Sequence, residues 1–148
     1  MDDNIDTLIE KQFLFPKGTT SKNQRELLKQ CSLFLLDVTP PCDHSQKKIV
    51  WRRFALACMV PLEGLSNNLK NTLGKKEYLK VTPEFQNDDG NGFIFTINAN
   101  LQISLCDDAI PECLGAANGR FKEQLMADIL GWLGRHVTRL GHVALSTC

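Results

Sequence analysis

An α+β fold, with a curled antiparallel sheet or small barrel packed by helices, is predicted from three observations. Apolar residues near the start of the chain recur at helical spacing. The middle of the chain is a series of apolar runs separated by turn-forming residues. Beyond Arg120, apolar residues again repeat every fourth position. The 148 residues are the length of one domain, and at 43% hydrophobic the chain can build a core without cross-links. The expected division is a helical segment over 1–31, a strand-rich core over 32–105 and a helix over 120–140, all within a single domain 1–148.

Ile5, Leu8, Ile9 and Phe13 give residues 2–13 an amphipathic helical pattern, and Asp2, Asp3 and Asp6 lie in the first turn, where the helix dipole favours acids. Pro16, Gly18 and Thr19 break that helix. Ser21 and Gln24 have capping-box spacing, which predicts a second helix over about 22–31. The run Leu33–Val38, bounded by Pro40 and Pro41, reads as a buried strand, and residues 49–60 read as a long one. Residues 61–74 are polar, with room for one short helical turn. Tyr78–Val81 is strand-like. Asn87 to Gly92 is a turn cluster, followed by a strand over 93–97, a tight turn at Asn98-Ala99-Asn100 and a strand over 101–105. The expectation for this region is an antiparallel meander. A loop spans Cys106 to Gly119. Phe121, Leu125, Ile129, Leu133 and Val137 then line one helix face, beside Met126 and Leu130. Gly141 suits a C-cap, and His142–Ser146 a last short strand.

Composition narrows the function. Lys plus Arg and Asp plus Glu both number 17, so the net charge is zero, which argues against a bulk electrostatic nucleic-acid binder. No apolar run approaches the ~20 residues that span a bilayer. The opening MDDNIDTLIEK has neither a basic nor an apolar leader region, so the expected location is cytoplasmic and the six cysteines are expected as thiols. Cys31 and Cys58 fall in apolar runs and read as small core residues.

The segment with the densest chemistry is Val38 to Lys48, where Cys42, Asp43, His44, Gln46, Lys47 and Lys48 follow two prolines. Lys47, Lys48 and His44 favour a Cys42 thiolate, and Asp43 opposes it. A catalytic thiol also needs a base, for which His136 and His142 are candidates. Cys42, His44, Cys106 and Cys113 are an alternative zinc set, although their spacing is not that of a knuckle. The simplest reading is a structured turn in which Asp43 or Ser45 caps local amides. Lys47, Lys48, Trp51, Arg52 and Arg53 are a candidate nucleic-acid stripe, split by strand alternation between two faces. Asn87, Asp89 and Asn91 imitate the start of a calcium loop, but Asn98 stands where the bidentate glutamate is needed, so a hairpin turn is the better account. Arg135, His136, Arg139 and His142 suit a helix C-terminus. Arg139 could also pair with Asp43, joining Cys42, Asp43, Gln46, Arg139 and His142 in one binding constellation.

Pro-Cys-Asp-His-Ser-Gln at 41–46, together with Arg139-Leu140-Gly141-His142, resembles small β-rich prokaryotic proteins that carry a Cys-Asp-x-x-Gln loop and a closing Arg-x-Gly. The resemblance implies a setting in stress response or phage defence. It also implies a core similar in outline to the SH3-like barrel of PemK-like plasmid toxins. None of the toxins' ribonuclease residues carries over. The function expected from these features is a non-enzymatic regulatory or protein-interaction module, with a protein partner or further copies of itself. The alternatives are a nucleic-acid-binding or toxin-like protein, and a zinc- or thiol-dependent site at Cys42. No resident cofactor other than zinc is suggested.

Overall fold

The structure, a computed structural model, describes residues 2–14, 22–39, 51–106 and 119–140. In chain order these form α1 (Asp2–Ile9), a π-helical turn (Glu10–Leu14), α2 (Lys22–Gln30), β1 (Ser32–Asp37), β2 (Trp51–Pro61), α3 (Asn67–Gly74), β3 (Leu79–Val81), β4 (Phe85–Gln86), β5 (Gly92–Cys106) and α4 (Glu123–Leu140). The α+β class is as expected. The strands make one open antiparallel sheet in the order β1-β2-β5-β3, with β4 also on β5. It is not closed into an SH3-like barrel. Nor is it a simple meander, because β5 returns to pair with β2 on one side and with β3 and β4 on the other. The predicted strand at His142–Ser146 and most of both long loops lie outside the described residues.

The chain divides into two compact units, Met1–Phe34 with Leu56–Asn98, and Leu35–Ala55 with Ala99–Cys148. In the first, Ile9, Phe13 and Leu14 from the N-terminal helix, Leu27 and Leu28 from α2, and Cys58, Val60, Ile94 and Ile97 from the sheet are buried. Each large side chain removed from water in this way contributes ~1.5–3 kcal/mol. The segment expected to hold one helical turn folds as two. Ser66 accepts a hydrogen bond from the Leu69 N–H at 3.1 Å, and Leu73 is fully buried. The N-cap and the i,i+4 leucines together give α3 an inner face.

In the register, Val81 faces Thr96 and Phe85 faces Phe93. Three residues, 82–84, therefore oppose two, 94 and 95, which is a bulge. Pro83 lies in it, without an N–H to donate, and so separates β3 from β4. Thr82 bridges the gap: its N–H donates to the Phe95 carbonyl at 2.9 Å and its Oγ1 accepts from the Phe95 N–H at 3.0 Å. The turn cluster forms as expected. Gly90 donates to the Asn87 carbonyl at 3.0 Å with φ at +81°, and the Asn91 N–H reaches Asn87 Oδ1 at 2.9 Å.

The tight turn expected at Asn98-Ala99-Asn100 is absent, and β5 runs straight through it. Each asparagine hydrogen-bonds a group on a helical segment instead of closing a turn. Asn98, fully buried, donates through Nδ2 to the Gln12 carbonyl at 2.8 Å. Asn100 Oδ1 lies 3.0 Å from His136 Nε2.

The second unit holds α4. Ile129, Leu133 and His136 are buried at i, i+4 and i+7, so the stripe read from the sequence is the inner face, with His136 extending it. Trp132 packs beside His136 with ring centroids 6.2 Å apart. β1 ends the strand order, and all six of its residues are half-buried rather than buried. With a neighbouring strand on one side, its side chains are less enclosed than those of a central strand.

Candidate functional site

Among the residues of the Cys42 constellation, Cys42, Asp43, His44, Gln46, Lys47, Lys48, Cys113 and His142 lie outside the described residues, as does the side chain of Arg139. The stem that carries the loop is described. Val38 N–H donates to the Arg53 carbonyl at 2.8 Å, and Arg53 N–H donates to Thr39 Oγ1 at 3.0 Å. Thr39 N–H donates to Asp37 Oδ1 at 3.0 Å, and Arg52 Nη2 lies 3.1 Å from Asp37 Oδ2. One carboxylate thus holds the strand end with one oxygen and a guanidinium with the other.

That arrangement reshapes the nucleic-acid stripe. Arg52 is ion-paired with Asp37, Arg53 is exposed and Trp51 is half-buried. The cation count of the stripe overstates its free positive charge, because the Arg52 charge is offset locally. From the zinc set, Cys106 is half-buried at the end of β5. Among the described residues there is no group of three or more His, Cys, Asp or Glu side chains placed to hold a metal ion. Also among them, no helix is long and apolar enough to cross a membrane.

Sequence reasoning missed a cluster of four phenylalanines in the first unit. Phe93 and Phe95 alternate along β5 and so share a face, with ring centroids 5.6 Å apart. Phe85 stacks on Phe93 at 5.6 Å and meets Phe95 edge-on at 5.9 Å. Phe34, on β1, reaches Phe95 edge-on at 5.8 Å although β2 lies between their strands. All four rings are half-buried. A signal was present: Phe85 and Phe93 each lie two residues outside the Asn87–Asn91 turn, so a hairpin there sets them opposite each other. The edge-on and stacked geometries are those aromatic pairs prefer, and the cluster leaves ring surface available for contact.

An open cleft of about 370 Å³ beside α2 is lined by Lys22, Glu26, Gln30 and Glu63, all exposed. It has the character of a solvated groove rather than a ligand pocket. In the same unit the neighbouring Cys31 side chain, and after it burial, push the Cys58 thiol up, so it is held protonated. No protein-family model, curated protein or solved structure matches this chain.

Proposed function

We propose that this chain is a non-enzymatic protein-interaction module whose docking surface is the phenylalanine face of Phe34, Phe85, Phe93 and Phe95, and that the surface is occupied by a second copy of the chain. The observation that carries the reading is the half-buried ring cluster on the sheet. Aromatic side chains bring large contact area at low entropic cost, which makes them frequent interface anchors. Zero net charge supports a like partner, since two copies approach without electrostatic repulsion. The resemblance of the Cys42 loop to small β-rich prokaryotic proteins supplies the setting, a cytoplasmic regulatory component in stress response or phage defence. The Cys42, Asp43, Gln46, Arg139 and His142 constellation then serves as a second, polar contact.

A second reading, nucleic-acid binding, is favoured by exposed Arg53 beside Trp51 and weakened by the pairing of Arg52 with Asp37. Native mass measured over a range of protein concentrations separates the two. The interaction module gives a dimer that Phe85→Asp dissociates while helix and strand content, read by circular dichroism, is kept. Phe93→Leu, which keeps apolar area, weakens the dimer less. A monomer at every concentration, combined with salt-sensitive RNA or DNA binding lost in Arg53→Ala, would reverse the choice.

A further inference from the structure

Asn91-Gly92 lies where the Asn87–Asn91 turn passes into β5. Asn-Gly is the dipeptide in which an asparagine side chain meets least hindrance in reaching the next main-chain nitrogen. The two asparagines of this turn differ in what their amides do. Asn87 Oδ1 accepts from the Asn91 N–H at 2.9 Å and is held. Asn91 is exposed, and its amide makes no hydrogen bond among the described residues. The ladder leaves the following nitrogen open as well. The Asn87 N–H donates to the Asn91 carbonyl at 2.9 Å, so 87 and 91 are a bonded pair. Antiparallel alternation makes the next pair, Gln86 with Gly92, one without ladder bonds, and the Gly92 N–H is not tied to β4. Packing imposes glycine at 92, since a Cβ there would stand 2.5 Å from Leu62 Cδ1. The close approach that shapes the start of β5 therefore keeps an unhindered nitrogen beside an exposed, unengaged amide.

We propose that Asn91 is a site of spontaneous covalent modification, converting to isoaspartate through a cyclic imide with Gly92. The Gly92 nitrogen gives its proton to solvent base and attacks Asn91 Cγ. The new N–C bond closes the ring, the Cγ–Nδ2 bond breaks, and Nδ2 takes a proton and leaves as ammonia. Water then opens the imide at either carbonyl. Opening at Cγ gives aspartate. Opening at the Asn91 main-chain carbonyl leaves the chain running through the side chain, which is isoaspartate. The net change consumes one water and releases one ammonia, with no oxidation. Isoaspartate inserts a methylene into the main chain. It also turns the carbonyl that accepts from Asn87 into a carboxylate, in a turn that already exposes Asp88 and Asp89.

The test holds the full folded chain at physiological temperature, at neutral and at mildly alkaline pH, in water labelled with heavy oxygen. Chymotryptic cleavage after Phe85 and Phe93 separates Asn91 from Asn118-Gly119, the other Asn-Gly of the chain. The 86–93 peptide is expected to gain the mass of an amide-to-acid exchange with labelled oxygen and to elute as two isomers, isoaspartate in excess. Conversion is expected to run faster at the higher pH, because the attacking nitrogen must lose its proton, and at a rate comparable with that of the chain unfolded in urea. Asn91→Gln, whose longer side chain closes the ring far more slowly, is expected to leave this peptide unmodified. An Asn91 that keeps its amide in the folded chain while converting in urea, or that yields aspartate without isoaspartate, would overturn the proposal.

Discussion

Asn98 Nδ2 donates a 2.8 Å hydrogen bond to the main-chain carbonyl of Gln12. Gln12 lies in the π-helical turn that ends the N-terminal helix, where carbonyls run out of intrahelical donors. Asn98 is fully buried in β5, so the bond satisfies a strand side chain and a helix end at once. Asn98→Leu keeps a similar volume and removes the donor. It is expected to lower unfolding stability by ~1–3 kcal/mol, seen as an earlier midpoint in urea. An unchanged midpoint would show that the Gln12 carbonyl has an equally good alternative partner.

Gly92 opens β5 against the Leu62 side chain. A Cβ added there would stand 2.5 Å from Leu62 Cδ1 and 3.3 Å from its Cγ. Leu62 is also bonded to this residue, its N–H donating to the Gly92 carbonyl at 3.0 Å. Gly92→Ala is therefore expected to cost ~1–3 kcal/mol through forced repacking. Gly74, at the end of α3, has nothing within 4 Å of the same construction. Gly74→Ala is expected to gain ~0.5–1 kcal/mol instead, and thermal melts of the two variants should move in opposite directions.

The Asp37 carboxylate separates two contributions that one substitution series can resolve. With side-chain exposures of 29% for Asp37 and 33% for Arg52, their pair is partly solvated and worth ~0–1 kcal/mol. Asp37→Asn keeps an oxygen for the Thr39 N–H and removes the charge, so its small loss should fade in high salt. Asp37→Ala removes both contacts and should cost ~1 kcal/mol more, independent of salt. Equal losses in the two variants would assign the whole effect to the ion pair.

What the sequence made legible follows from the range of the interactions involved. The helix starting near 22, the strand at 49–60, the Asn87–Gly92 turn and the stripe through Ile129 and Leu133 are set by neighbours a few residues away, and periodicity reveals them. The turn expected at Asn98-Ala99-Asn100 failed because the partners of the two asparagines, Gln12 and Leu79 for Asn98 and His136 for Asn100, are distant in sequence. Strand order was hidden for the same reason, since Pro83 and its bulge decide where β3 stops and β4 begins. At the site, local reading found Arg52 and counted its charge, but the pairing with Asp37 depends on how β1 and β2 align. The phenylalanine cluster draws on β1, β4 and β5, so no single window of sequence contains it.

Cys58 makes stability depend on pH in a defined direction. The Cys31 side chain near it and its burial both raise the thiol above its ordinary value of 9.0 in the folded chain. In the unfolded chain the thiol titrates near that ordinary value. Below it both states are protonated and the group leaves stability unaltered by pH. Above it the unfolded state gives up a proton that the folded state keeps, so stability falls as pH rises. Urea midpoints measured from neutral to alkaline pH should therefore decline above about 9.0, and Cys58→Ala should flatten the decline relative to the unmodified chain. Parallel curves for the two proteins would place the alkaline loss in other groups and show that the Cys58 thiol ionises as readily folded as unfolded.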